Sequence, residues 1–304
     1  MSGHDHAHGT VAGRQRGRLA AVLSVSVAIL LAEVAGGLIS GSLALLADAG
    51  HMFADVAGVG LALLAVRLAA RPASPARTFG LARAEILAAV ANAVLLLGVA
   101  AVVTVEAIRR LADPPEVASG AMLAFGLVGL AGNTVSLWLL RSGQAESLTV
   151  RGAFLEVAAD ALGSLGVVAA AVVIRLTGFT RTDAIVSLLI GLFILPRTWR
   201  LLREAVDILL EASPKNIDLQ VVRDHIVAMD HIIDVHDLHA FTVTSGLPVL
   251  SAHVVVDASC FQDGHAPQLL DQLQHCLAGH FDVEHSTFQL EPATHAGHEH
   301  PVHS

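Results

Sequence analysis

Leu45–Gly60 reads LLADAGHMFADVAGVG. It lies inside a segment apolar enough to cross a bilayer, yet it holds His51 and Asp55, four residues apart. At about 3.6 residues per turn, that spacing stacks both side chains on one helix face, a single turn apart. A charged group at the centre of a membrane helix costs roughly 2.5–3.5 kcal/mol on insertion scales, so the pair needs a partner or a task.

A second ionisable pair, Glu156 and Asp160, has the same spacing in a later apolar segment. The two stretches share a pattern: a ligand-type residue, then Ala-Asp, then a glycine three further on (Gly58 and Gly163). Small residues let membrane helices approach closely. At about 1.5 Å per residue, His51 and Asp55 lie about 12 and 18 Å from one end of their span. In a core of about 30 Å, Asp160 and Glu156 lie about 18 and 24 Å from the same face. The pairs overlap near mid-membrane. One nitrogen and three carboxylates are enough for a tetrahedral divalent cation.

The composition agrees with a membrane location. The 304 residues are 54% hydrophobic, contain no tyrosine and have a mean hydropathy of +0.65. Six apolar runs approach or exceed the length that spans a bilayer, about residues 19–39, 43–66, 84–107, 119–140, 152–174 and 184–199. The first run is expected to stay in the membrane rather than act as a signal peptide, and a tail with His4, His6, His8, Arg14, Arg16 and Arg18 precedes it. Six spans put both ends on one side. Only Arg109, Arg110, Arg175 and Arg181 fall on the other, so both ends are expected in the cytoplasm of a multi-pass protein. Trp138 and Trp199 fall at the cytoplasmic helix ends. The net charge of −9 excludes a basic nucleic-acid surface. Cys260 and Cys276, with no CxxC, argue against disulfides and thiolate metal sites.

After Pro214 the periodicity changes. Residues 217–229 and 266–278 read as amphipathic helices; 232–243, 249–257 and 283–290 read as strands, the first two joined at Ser245-Gly246. The expected organisation is a tail (1–18), an all-α six-span domain (19–203), a small α+β domain of order αββαβ (204–292) and a His-rich tail (293–304) with His295, His298, His300 and His303.

Taken together, SLALLADAGHMFAD (42–55), RTFGLARAEILAA (77–89) with Asn92, VRGAFLEVAADALGS (150–164), VHDLHAF (235–241), SAHVVVD (251–257) and EHSTFQLE (284–291) resemble the cation diffusion facilitator family, in its bacterial branch exporting zinc, cadmium and cobalt. The resemblance implies a homodimer in the bacterial inner membrane. It would exchange cytoplasmic Zn2+ for protons and carry a metallochaperone-like cytoplasmic domain. It also implies His236, His253 and His285 as regulatory metal ligands, with His239 and His265 weaker candidates, and places Arg83 near a hinge where Asp207 or Glu211 could pair with it. Zinc members usually carry histidine where this chain has Glu156, and the extra carboxylate leans toward Mn, Fe or Co. The loop of residues 141–149 also lacks the histidines many relatives carry there.

Other polar residues in or near the spans, Glu33, Asp48, Glu85, Asn92, Glu106 and Asn133, read first as interhelical hydrogen bonds, with Asp48 a support for His51. A membrane metalloprotease would need HExxH or an open site with a general base, and the chain has no HExxH. A metal sensor without transport is the remaining alternative to a transporter.

Overall fold

The turn Ser40-Gly41-Ser42, with Gly41 at φ +71°, joins the first two long helices of the chain. The structure, a computed structural model, describes residues 6–142 and 148–296. His4 and the tail histidines His298, His300 and His303 lie outside the described residues. Six helices are long and apolar enough to cross a membrane: α1 (His6–Ser40), α2 (Leu43–Ala69), α3 (Ala84–Ala112), α4 (Ser119–Leu140), α5 (Leu148–Thr177) and α6 (Arg181–Leu209). α4 matches its apolar run to the residue. α1 and α6 run further than theirs, because nothing stops a helix where hydrophobicity ends. α6 even keeps Pro196 inside, where proline removes one backbone hydrogen bond.

Asp183, in the first turn of α6, fixes the start of α2. Its carboxylate accepts hydrogen bonds from Ser42 Oγ (2.6 Å) and from the backbone N–H groups of Leu43 (2.7 Å) and Ala44 (3.1 Å). These are amides that a helix start leaves without partners, and the anion also suits the positive end of the helix. α4 packs against both α1 and α5. Met122, Val167, Ala170, Ala171 and Ile174 are buried in that layer with Ala44 and Leu45 of α2.

The chain divides into two compact units. One holds the remainder of the six helices; the other joins Leu64–Ala88 to the chain from Arg203 onward. In the second unit, α7 (Leu219–Val227) begins at Asp218, whose carboxylate accepts from the N–H groups of Gln220 and Val221. β1 (Ile232–Thr244) and β2 (Leu247–Val256) form an antiparallel hairpin around Ser245-Gly246, with Gly246 at φ +77°. A short 3-10 turn and α8 (His265–Phe281) then cross over, so that β3 (His285–Pro292) runs parallel to β2. A parallel pair requires such a crossover. The sheet order is β1-β2-β3, followed by one last turn, α9 (Ala293–Ala296). Leu250, Ala252, Val254 and Val256 alternate onto the face that packs with Val222, Ile226, Leu269, Leu273 and Leu277 of the helices. Each fully buried leucine of this core is worth about 1.5–3 kcal/mol over its exposed state. The α2–α3 loop belongs to this unit: Arg83 pairs with Glu211 at 2.8 Å, rather than with Asp207, and Thr244 and Ser245 donate to Glu85 at 2.7 and 3.0 Å.

Candidate metal centre

His51 and Asp55 of α2 meet Asp160 of α5. His51 Nε2 lies 3.5 Å from Asp55 Oδ2 and 3.7 Å from Asp160 Oδ1. These separations are too long for good hydrogen bonds. They are near the roughly 3.3 Å that separates nitrogen and oxygen ligands about 2.05 Å from one tetrahedral ion. The side chains are 14%, 24% and 8% exposed, and among the described residues Asp55 Oδ2, Asp160 Oδ1 and His51 Nδ1 have no hydrogen-bond partner. Buried polar atoms are normally satisfied, so two unpartnered carboxylate oxygens beside one imidazole nitrogen suit a cation that arrives and leaves.

Close helix approach makes this meeting feasible. A Cβ added at Gly163 would lie 2.8 Å from Asp48 Oδ1, and one added at Gly58 would lie 2.8 Å from Asn92 Nδ2. Asp48 is buried and accepts from Ser164 Oγ (3.2 Å), which in turn accepts from Asn133 Nδ2 (3.2 Å). Glu33, fully buried, reaches the same layer: a Cβ on Gly129 would meet Glu33 Oε1 at 2.5 Å and Ser164 Oγ at 3.2 Å. A polar layer from α1, α2, α4 and α5 therefore backs the His51 cluster.

Glu156 departs from the four-ligand expectation. Its side chain is 38% exposed and is held by Arg197 of α6 at 3.1 Å, outside the three-residue cluster. The sequence offered no periodic signal for this pair, because Arg197 belongs to another helix. Counting it changes the electrostatics. Three carboxylates and one guanidinium leave a net charge that one dication would cancel, where the ligands alone would leave an excess negative charge.

A second cluster lies on the sheet face opposite the helices. His236 and His253 are paired across β1 and β2, and Gln289 of β3 continues that row. The imidazole rings are 5.2 Å apart. The third member is Glu291 rather than His285: its Oε1 is 2.6 Å from His236 Nε2 and its Oε2 is 3.7 Å from His253 Nδ1. His285 stands four residues before Gln289, about 13 Å along the strand at roughly 3.3 Å per residue. It meets Phe79 edge-on at 5.6 Å instead. The parallel register decides this, and strand periodicity does not reveal it. Burial by itself would raise the Glu291 carboxyl, but hydrogen bonds from His236 and Gln289, with the charge of both imidazoles, hold it below its ordinary value. A bulge re-aims Asp237 (φ +50°) so that it reaches His239 at 2.9 Å and His253 at 3.9 Å. His265 pairs with Asp263 at 2.8 Å, apart from the cluster.

The profile of the cation efflux transmembrane domain matches residues 19–210, and that of the cation efflux protein cytoplasmic domain matches residues 214–293. The metal cation efflux system protein CzcD of Cupriavidus metallidurans is 44% identical over 96% of this chain and 90% of its own length. The zinc transporter ZitB of Escherichia coli is 41% identical over 90% and 87%. A Bacillus subtilis protein named cadmium, cobalt and zinc/H(+)-K(+) antiporter is 37% identical over 88% and 86%. The solved metal-bound C-terminal domain of the Cupriavidus CzcD is 36% identical and is covered over 99% of its length, which is 25% of this chain, at a TM-score of 0.22. By its two matched domains and these relatives, the chain belongs to the cation diffusion facilitator family of zinc, cadmium and cobalt efflux transporters.

Proposed function

We propose that this chain exports zinc, and with it cadmium or cobalt, from the cytoplasm in exchange for protons. His51, Asp55 and Asp160 bind the ion, and Glu156 joins them when Arg197 releases it. The observation that carries this reading is the approach of His51 Nε2 to Asp55 Oδ2 and Asp160 Oδ1 at 3.5 and 3.7 Å, with both of those carboxylate oxygens buried and without partners among the described residues. Proton coupling follows from the ligand chemistry. The imidazole and carboxylates must be deprotonated to hold metal, so loading releases protons and reprotonation releases the ion. The cycle runs between a cytoplasm-facing loaded state and an outward-facing protonated one.

The charge distribution supports cytoplasmic ends and a multi-pass location in the bacterial inner membrane. The matched cytoplasmic domain supports a homodimer with zinc at His236, His253 and Glu291 as a regulatory ion. Glu156 favours a second reading of the cargo: with three oxygens and one nitrogen the site is harder than a two-histidine site, which moves preference toward Mn2+ or Fe2+. Competitive flux of Zn, Cd, Co, Mn and Fe into vesicles, with and without a pH gradient, tests both. Zinc outcompeting manganese and dissipating the pH gradient supports export of zinc by antiport. Manganese preference supports the harder-ion reading. Metal binding with no flux of any ion would make the chain a sensor and reject transport.

A further inference from the structure

On the helix side of the C-terminal unit, away from the sheet-face cluster of the same unit, His225 closes the last turn of α7 and His280 the last turn of α8, with Cys276 one turn before His280. His225 Nε2 and His280 Nδ1 face each other at 3.1 Å, and Cys276 Sγ is 3.8 Å from the same His280 nitrogen. All three ligand atoms lie within 4.8 Å of one another. A tetrahedral ion with bonds of about 2.05 Å to nitrogen and 2.3 Å to sulfur holds two nitrogens about 3.3 Å apart and a nitrogen and sulfur about 3.6 Å apart. The two separations made by His280, 3.1 and 3.8 Å, lie within a few tenths of an ångström of those values. Phe281 meets the His225 ring edge-on at 5.6 Å and helps to fix its orientation. His225 and His280 are exposed and Cys276 is partly so, which leaves an approach from solvent and room for water as a fourth ligand.

We infer that His225, Cys276 and His280 form a separate metal site that takes a borderline-soft dication, zinc or cadmium, on two imidazoles and one thiolate. Its donor set differs from the nitrogen and oxygen sets of the other two clusters, and the sulfur shifts its preference toward cadmium. Burial raises the Cys276 thiol, so the empty site holds S–H. Binding breaks that S–H bond, forms the metal–sulfur bond and releases one proton to solvent. The imidazoles bind as neutral rings through the two facing nitrogens, with the ring protons on the far nitrogens. A bound ion would pin the C-terminal ends of α7 and α8 together.

The thiolate makes the test selective, because Cys260 and Cys276 are the only cysteines and Cys260 is buried. Cadmium chloride is titrated into the full-length protein in detergent while the sulfur-to-cadmium charge-transfer absorption is followed in the ultraviolet. The expected result is one saturable band per chain. It should be abolished by Cys276→Ser, shifted to more than about tenfold higher cadmium by His225→Ala or His280→Ala (removing even an outer partner of a ligand costs about 10–100-fold), and unchanged by Asp160→Asn. A wild-type protein without the band, a band that survives Cys276→Ser, or an affinity unmoved when both histidines are replaced would overturn the site.

Discussion

The two histidine–carboxylate clusters use similar side chains in opposite ways. In the membrane cluster, His51, Asp55 and Asp160 come together without good hydrogen bonds, and among the described residues buried atoms of all three lack partners. In the C-terminal cluster, Glu291 is bonded by His236 and Gln289 and closes on its own histidines at 2.6 and 3.7 Å. An orphaned set of buried groups is costly when empty, and so favours whatever neutralises it, a dication or protons. A set that satisfies itself is stable when empty, and metal must displace an internal hydrogen bond to enter. The first arrangement suits a carrier that exchanges one cargo for another; the second suits an occupancy that responds to concentration.

The contrast can be broken at either end. The largest effect is expected from Asp55→Asn or Asp160→Asn. Each removes a charged ligand and should weaken zinc binding by the membrane helices more than about 100-fold, beyond the 10–100-fold loss of an outer partner. Equilibrium dialysis with radioactive zinc measures it, on a background with His236 and His253 replaced by alanine and Cys276 by serine. Next, Glu156→His should narrow selectivity toward zinc over manganese by about tenfold, or about 1.4 kcal/mol, because imidazole suits zinc better than carboxylate does. Competitive vesicle flux gives the ratio, and an unchanged ratio would exclude Glu156 from the coordination sphere. Glu291→Gln should cost about 1–3 kcal/mol of metal-free stability, because the histidine network loses its anion. Thermal melting in chelator reads that cost, and a wild-type melting temperature would deny the self-satisfied state. The smallest effect is expected from His285→Ala, which should leave zinc stoichiometry unchanged and lose only the contact with Phe79.

Much of the architecture was legible because length and hydropathy govern it. The span of residues 119–140 and the αββαβ order both follow from run length and period. Helix ends beyond the apolar runs were not, since the polar continuation of α6 to Leu209 carries no stop signal. At the membrane site, spacing and depth brought out His51, Asp55 and Asp160, and the glycines of the shared pattern mark close approach. The surroundings of Glu156 and His285 are set by other segments and carry no sequence signal: Arg197 on α6 in one case and the parallel β2–β3 register in the other. Asp183 escaped for the same reason, being a cap supplied to α2 from another helix. The absence of CxxC set Cys276 aside as a metal ligand, and His225, far earlier in the chain than Cys276 and His280, becomes their neighbour only after folding.

The central claim is that one cluster carries both the exported ion and the counter-moving protons. Its most direct test is simultaneous zinc and pH recording in proteoliposomes, wild type beside Asp160→Asn. Zinc entry in the wild type is expected to be matched in time by proton exit, and the single substitution to abolish both signals together while the protein remains folded. Zinc flux that persists in Asp160→Asn, or zinc flux in the wild type that never moves the pH signal, would contradict it.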